Sequence, residues 1–185
     1  MKNGLPKPNR KVRYTKMVLR DSLIELMKER PILKITIKDI CELADVSRST
    51  FYAHYNNQFD LLQAIQDETI SYFEELLEKY DGLEGKNIMT KMTEEVLKYI
   101  ADNSNSIQVL MSENGDVNFQ KKLFAYNRQK KVLSFFKNID NVKIQEYTTI
   151  YAVSGTISLI QQWLKNNMDL PVNEVAKLIT KLAQN

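Results

Sequence analysis

The chain has 185 residues, of which 43% are hydrophobic and 26% are charged, so it holds enough apolar material for folded cores and is not broadly disordered. Only five Gly and four Pro occur, which favours an all-helical fold, and a single cysteine, Cys41, excludes an internal disulfide framework. The net charge of +3 is uneven, because residues 1–60 carry 12 Lys and Arg against 7 Asp and Glu, whereas residues 61–185 carry 14 against 16.

Several classes of protein are disfavoured at once. No apolar run approaches the ~20 residues of a membrane span, and the N-terminus lacks the apolar segment of a signal peptide. We therefore expect a cytoplasmic protein without a membrane partner. The sequence shows no phosphate-binding glycine loop, no spaced set of metal ligands and no nucleophile beside a base. We expect neither an enzyme nor a metal or cofactor site.

The first segment of the chain, residues 1–14, is basic. The first twenty residues contain seven Lys and Arg and no acid, since Asp21 is the first one. One glycine and two prolines predict an irregular, flexible arm over this segment. A basic arm can follow a phosphate backbone, although an ordinary solvated terminus has a similar composition. Arg10, Lys11 and Arg13 are the candidate contacts in the arm.

The first predicted helix starts near Thr15, where apolar residues begin to recur at helical spacing. It ends at Arg30, because the residue before a proline is biased away from helical geometry. A second helix is predicted over 37–44. Thr36 precedes it in a T-x-x-D pattern with Asp39, in which each side chain can bond the backbone amide of the other residue.

A three-residue turn, 45–47, separates this helix from a third, short helix predicted over 48–55. Asp45 can adopt the left-handed backbone of a tight turn, and Ser47 can cap the helix that follows. Two short helices joined in this way form a helix-turn-helix, in which the second helix lies in the major groove of DNA. The residues predicted to pack the two helices together are Ile37, Ile40, Val46, Phe51 and Tyr55.

The same periodicity leaves a polar face on the second helix of the pair. Arginine can pair bidentately with guanine, hydroxyls can serve bases or phosphates, and Tyr and His can reach phosphate oxygens. A two-helix hairpin within a bundle is the alternative interpretation, but it does not explain a polar face that follows a basic segment. The outward-facing residues are Arg48, Ser49, Thr50, Tyr52 and His54.

The rest of the chain is predicted to be helical as well. Asn57 and Asp60 cap a helix that runs to about Tyr80, and a glycine-containing breaker follows it. Further helices are predicted over about 88–100, 107–111, 119–136, 147–164 and 175–182, which makes about nine in total. The predicted domains are a DNA-binding domain over 15–60 and a helical domain over 61–185.

Residues 35–62 resemble the signature of the TetR family of bacterial transcriptional regulators. The matching elements are Asp39-Ile40, Ala44, Val46-Ser47, Thr50-Phe51-Tyr52, His54-Tyr55 and Leu61-Leu62. The resemblance implies that Thr36 and Ser47 hold phosphates, that Arg48 and Thr50 approach bases, and that Tyr52 and His54 clamp the DNA backbone. This chain has Asp45 where the family usually has Gly, Ala53 where a larger polar residue is common, and Gln58 where the family usually has Lys.

The resemblance also implies a function for residues 61–185. Family members dimerise through their last two helices and usually hold an effector pocket, so we expect a repressor that binds a near-palindromic operator as a homodimer and is released by a small molecule. A monomer in which the apolar helix 147–164 fills a core is the alternative to the dimer. A TetR-like coactivator or nucleoid-associated protein that acts through protein contacts is the alternative function. The candidate pocket residues, which could equally be core, are Met89, Met92, Met111, Tyr126 and Trp163.

Overall fold

The computed structural model describes residues 10–83, 87–115, 119 and 141–184. These residues form helices and no strand, which confirms the all-helical prediction. The α-helices are α1 Arg10–Glu29, α2 Ile37–Ala44, α3 Arg48–Tyr52, α4 Gln58–Tyr80, α5 Ile88–Asp102, α6 Ser104–Leu110, α7 Val142–Lys165 and α8 Val172–Gln184, with a 3-10 helix at Ile32–Lys34. The helix predicted over 119–136 lies outside the described residues except for Phe119, which is helical and buried.

The chain divides into two compact units, Met1–Asp67 and Glu68–Asn185. This division falls inside α4, seven residues after the boundary predicted between residues 60 and 61. In the first unit, α1 packs against α2, and α2 packs against α3. The large side chains of this unit that are fully buried are Leu19, Leu23, Met27, Ile35, Ile40, Phe51, Leu61 and Gln66.

Helix α1 begins at Arg10 rather than near Thr15, so the prediction of a flexible segment through residue 14 is wrong for its last five residues. The last proline of the segment is Pro8, and no helix breaker separates it from Thr15. Thr15 is buried, and its hydroxyl donates to the Lys11 carbonyl at 3.0 Å. Burial of Thr15 and its hydrogen bond to Lys11 thus stabilise the first turn of α1, which the polar sequence did not predict.

In the second unit, α5 packs against α8, and α6 packs against α7. The Gln108 side-chain amide on α6 donates to the Leu164 carbonyl near the end of α7 at 3.0 Å. Helix α7 begins at Val142, five residues before the predicted start, because the Asn141 side chain accepts hydrogen bonds from the amides of Lys143 and Ile144. The buried residues of this core are Leu97, Ile100, Ile107, Ile160, Trp163, Leu164, Val175, Ala176 and Ile179.

The end of α4 is tied to α5 by side-chain contacts. Glu95 on α5 accepts from the Lys79 ammonium at 2.6 and 2.8 Å and from the Tyr80 hydroxyl at 2.8 Å. About two helical turns before Lys79 on α4 and one turn after Glu95 on α5, the rings of Tyr72 and Tyr99 stack with their centroids 3.8 Å apart. These contacts hold the second half of α4 within the second unit.

Gly115 packs against the backbone at the end of α6, where there is no room for a side chain. A methyl group at this position would lie 2.3 Å from the Leu110 carbonyl oxygen, a backbone atom that cannot swing aside. Gly115→Ala is therefore expected to lower the free energy of unfolding by about 1–3 kcal/mol, measured by urea denaturation. Glu113→Ala, an exposed change in the same turn, is the control and should stay within about 0.5 kcal/mol of wild type. Equal stability of both variants would contradict the prediction.

Candidate nucleic-acid interface

The interface begins at the N-terminus of α2, where the predicted capping box is present. The Thr36 amide donates to Asp39 Oδ2 at 2.9 Å, and the Asp39 amide donates to Thr36 Oγ1 at 3.2 Å. Two amides that the helix itself cannot satisfy therefore have partners. The Thr36 side chain is held in place and stays exposed to solvent.

The turn between α2 and α3 has the geometry that its sequence predicts. Asp45 lies in the left-handed region, with φ 51° and ψ 47°. Aspartate tolerates this backbone better than most residues, which explains how the chain manages without the glycine common in the family. Ser47 caps α3, since its Oγ accepts from the Thr50 amide at 3.1 Å.

The packing prediction for α2 and α3 is confirmed for its two central residues, because Ile40 and Phe51 are fully buried. Ile37, Val46 and Tyr55 are half-buried. Helix α3 ends at Tyr52, three residues before the predicted end. Capping of α4 explains the difference, since the chain must leave α3 in time for the Asn57 side chain to accept the amides of residues 59 and 60, both at 2.9 Å.

The structure keeps the predicted contact residues accessible. Thr36, Ser47, Arg48, Ser49 and Tyr52 are exposed, and Thr50 and His54 are half-buried. The Ser47 hydroxyl lies 2.8 Å from the hydroxyls of both Ser49 and Thr50, so three hydroxyl groups meet at the start of α3. Helix α3 therefore presents a cation, hydroxyls and an aromatic ring side by side.

An open cleft of about 490 Å³ lies beside the turn. Its lining residues are Lys38, Cys41, Glu42, Asp45, Val46, Ser47 and Arg48. Burial raises the pKa of the Cys41 thiol, so this group stays neutral near pH 7. The charged groups of the cleft are thus the lysine and arginine together with two carboxylates.

The three arm residues lie on α1. Arg10, Lys11 and Arg13 are exposed on its first turns, where the helix, rather than a flexible arm, carries them. A helix fixes the spacing of its side chains, so any contact that they make with DNA depends on the direction of α1. The composition of this segment did not indicate that a helix fixes the positions of these three side chains.

The candidate effector residues are spread over the second unit. Met89, Met92 and Met111 are half-buried, and Tyr126 lies outside the described residues. Trp163 is part of the core, and its indole N–H donates to the Leu170 carbonyl at 2.9 Å. A buried and hydrogen-bonded indole serves packing within the core.

A groove of about 560 Å³ runs along α7 and α8, and none of the candidate effector residues that the structure describes lines it. Tyr147 and Tyr151 border the groove with 71% and 76% of their surfaces exposed. Helical spacing along α7 places four of the lining residues on one face of the helix, namely Tyr147, Tyr151, Gly155 and Ser158. This spacing is the feature of the sequence that indicates the groove. The remaining lining residues are Ile150, Ala152, Ser154, Thr156, Leu159, Ile179 and Leu182.

The capping box at Thr36 and Asp39 makes the stability of the protein depend on pH. Hydrogen bonds from Thr36, above all from its backbone amide, hold the pKa of Asp39 below its ordinary value, and the charge of Arg30 lowers it further. A depressed pKa contributes stability that is present above the unfolded pKa and is lost as the pH falls through the folded one. Asp39→Asn is therefore expected to lower Tm at pH 7 and to have a smaller effect between about pH 4 and pH 2. Thermal melts of both proteins across this range test the point, and a constant difference in Tm would contradict it.

The described part of the chain contains neither a membrane-spanning helix nor a cluster of metal-binding side chains. No helix there is long and apolar enough to cross a membrane. No group of His, Cys, Asp and Glu side chains there has the arrangement of a metal site.

The architecture of the first unit, with two capped helices around a left-handed turn and an exposed polar second helix, is that of a helix-turn-helix DNA-binding transcription regulator. Residues 19–65 match the family model for bacterial regulatory proteins of the tetR family. Residues 87–185 match a model for the C-terminal region of transcriptional regulators. The chain belongs to the TetR family of transcription regulators, as its sequence signature predicts, and this is not a family of enzymes.

Known relatives agree with this assignment. The chain is similar to YxbF, an uncharacterized HTH-type transcriptional regulator of Bacillus subtilis (strain 168), with 22% identity over 89% of this chain and 43% of YxbF. It spans less than half the length of the curated relatives that it matches. The fold resembles that of a TetR regulator from Streptococcus agalactiae 2603V, with a TM-score of 0.64 and 23% identity over 94% of this chain and 96% of the other. It also resembles NalD, the secondary repressor of the MexAB-OprM multidrug efflux pump in Pseudomonas aeruginosa, with a TM-score of 0.68 and 14% identity over 93% and 96% of the two chains.

Proposed function

We propose that the chain is a cytoplasmic repressor that binds a near-palindromic operator as a homodimer and is released by a small-molecule effector. The observation that carries the DNA-binding part is the exposed polar face of α3, held by a capped helix on either side of the Asp45 turn. One short recognition helix reads few bases, so two copies on a two-fold axis are needed for useful specificity.

Each predicted contact has a chemical role in this proposal. Arg48 and Thr50 read base edges in the major groove, because a guanidinium can bind guanine bidentately. Tyr52 and His54 bind phosphates on one side of the groove. Thr36 and Ser47 bind phosphates at the N-termini of α2 and α3, and Ser49 supplies a further hydroxyl.

The basic first turns of α1 add a second set of phosphate contacts. Arg10, Lys11 and Arg13 are exposed cations in the same unit as α3. Gln58, at the first position of α4, stands where the family usually has a lysine, which removes one cation from the interface. Contacts through α1 would offset this loss, and each phosphate contact steepens the salt dependence of binding.

The homodimer is proposed to form through α7 and α8. Both helices carry exposed apolar side chains beside the groove, and small residues on α7 permit close approach of a second helix. An apolar surface of this kind is unfavourable in water unless a partner covers it. A two-fold arrangement of these helices would form a four-helix interface.

Repression and effector release are the finer parts of the proposal. NalD, which shares the fold, is a repressor. A repressor is released when the effector binds better to the form with the lower DNA affinity. Met89, Met92 and Met111 remain the proposed pocket residues, because methionine suits adaptable apolar sites.

The test is selection of duplexes from a random-sequence pool by the purified chain, followed by gel-shift titration. The expected result is a near-palindromic site bound at least about 1000-fold more tightly than unrelated DNA. Weak binding of all sequences alike would contradict the repressor and favour the nucleoid-associated alternative.

For effector release, small molecules are screened for dissociation of the selected duplex. If no compound shifts binding, the effector part fails while the DNA-binding part stands.

A further inference from the structure

Arg30, the residue directly after the C-terminal end of α1, reaches across to α2. Its Nη2 atom lies 3.1 Å from Asp39 Oδ2, the same oxygen that accepts the Thr36 amide at 2.9 Å. The side chains are 39% and 28% exposed, so the pair is partly shielded from solvent. One carboxylate oxygen therefore joins the end of α1 to the first turn of α2.

The capping box creates an electrostatic conflict at this point. A carboxylate in the first turn stabilises a helix, but it also repels a phosphate that approaches the same helix N-terminus. Within α2, the only lysine, Lys38, lies 3.6 Å from the other acid, Glu42. The cation that pairs with Asp39 comes instead from a different helix.

One donor atom of the Arg30 guanidinium, Nε, is buried and has no hydrogen-bond partner among the described residues. Burying an N–H group without a partner is unfavourable, and an apolar residue would avoid this cost. The guanidinium is useful at this position because it brings a positive charge to Asp39.

We infer that Arg30 is a positioning residue for DNA binding. It neutralises Asp39 and holds the first turn of α2 against α1, so that a DNA phosphate can bind at Thr36. This inference rests on the proposed function, in which Thr36 holds a phosphate. Arg30 acts through Asp39 and makes no contact with DNA itself.

The test is a double-mutant cycle with the duplex that the wild-type chain selects. Arg30→Gln is expected to weaken binding roughly three- to tenfold at about 0.1 M salt, because Asp39 then lacks the cation that pairs with it directly. Asp39→Asn removes that charge and leaves an oxygen to accept the Thr36 amide. The double variant should therefore bind within about twofold of wild type. Arg30→Lys, which keeps the charge, should also stay close to wild type.

Lys28→Gln is the matched control. Lys28 lies near Arg30 on α1, is also 39% exposed and pairs with Glu25 on its own helix at 2.7 Å. Its loss removes the same net charge from the chain and is expected to change affinity by less than about twofold. Circular dichroism and thermal melts report whether each variant is folded.

The outcomes separate this inference from the proposed function. If the wild-type chain selects no duplex, the proposed function fails, and the inference fails with it. If wild type binds but Arg30→Gln binds equally well, only the inference is overturned. It is also overturned if the double variant is as weak as Arg30→Gln, since Arg30 would then contact DNA directly or act only on folding. Recovery of affinity in the double variant supports it when the melts show that Arg30→Gln is folded at the assay temperature, and recovery that only follows regained folding overturns it.

Discussion

Replacing Arg48 by alanine is expected to lower affinity for the selected duplex by at least about 30-fold, since each bidentate arginine–guanine pair contributes about 1–3 kcal/mol and a dimer loses two of them. Arg48 is the first residue of α3 and is exposed. Its removal leaves the Ser47 cap and the buried Phe51 intact, so the fold should be unchanged. Gel-shift titration with the selected and an unrelated duplex measures the loss of specificity.

Arg48→Lys is the control for charge alone. Lysine keeps one positive charge but lacks the planar fork of donors that matches guanine. This variant should bind unrelated DNA with the wild-type salt dependence and should discriminate poorly between duplexes. If Arg48→Ala discriminates as well as wild type, Arg48 does not read bases, and specificity must come from other residues of α3.

If the proposed dimer forms through α7, Tyr151→Asp is expected to convert it into a monomer at micromolar concentration and to reduce operator affinity by about 100-fold or more. Tyr151 is 76% exposed at the groove on α7, so the change should cost the folded monomer little. In a dimer, each copy would bring an unpaired carboxylate into an apolar interface, which is strongly unfavourable. Analytical ultracentrifugation measures the oligomeric state, and gel-shift titration measures the affinity.

Asn173→Asp adds the same charge to an exposed position of α8 that does not line the groove. This control should remain dimeric and should bind the selected duplex like wild type. A monomeric wild-type chain at micromolar concentration would contradict the proposed dimer directly. A Tyr151→Asp variant that stays dimeric would place the interface elsewhere on the chain.

The local features of the interface were predictable because they involve residues close together in the chain. Thr36 and Asp39 of the capping box are three positions apart, and Ser47 caps an amide three residues ahead. The left-handed backbone of Asp45 follows from its place at the end of α2, only three residues before α3 begins. These features need only the sequence of one short segment and the geometry of a helix.

The start of α1, the start of α7 and the surroundings of Trp163 were less predictable. The first turns of α1 are mostly polar, so they lack the apolar spacing that predicts a helix. Thr15 is buried by tertiary packing, which the sequence does not show. Asn141, which caps α7, comes before the apolar stretch that marked the predicted start of that helix. Trp163 was a candidate pocket residue by composition, yet it packs within the core, where the Leu170 carbonyl accepts its indole N–H.

The sequence by itself determined the all-helical class, the helix-turn-helix and the residues of its outward face, because helix periodicity, caps and turn geometry are local properties. The tertiary structure decided what depends on residues distant in sequence. It brings Arg30 at the end of α1 to Asp39 on α2, and it leaves the groove on α7 and α8 open while Trp163 is buried. Such contacts depend on how helices pack, and the same apolar periodicity is compatible with a core, a pocket or an interface.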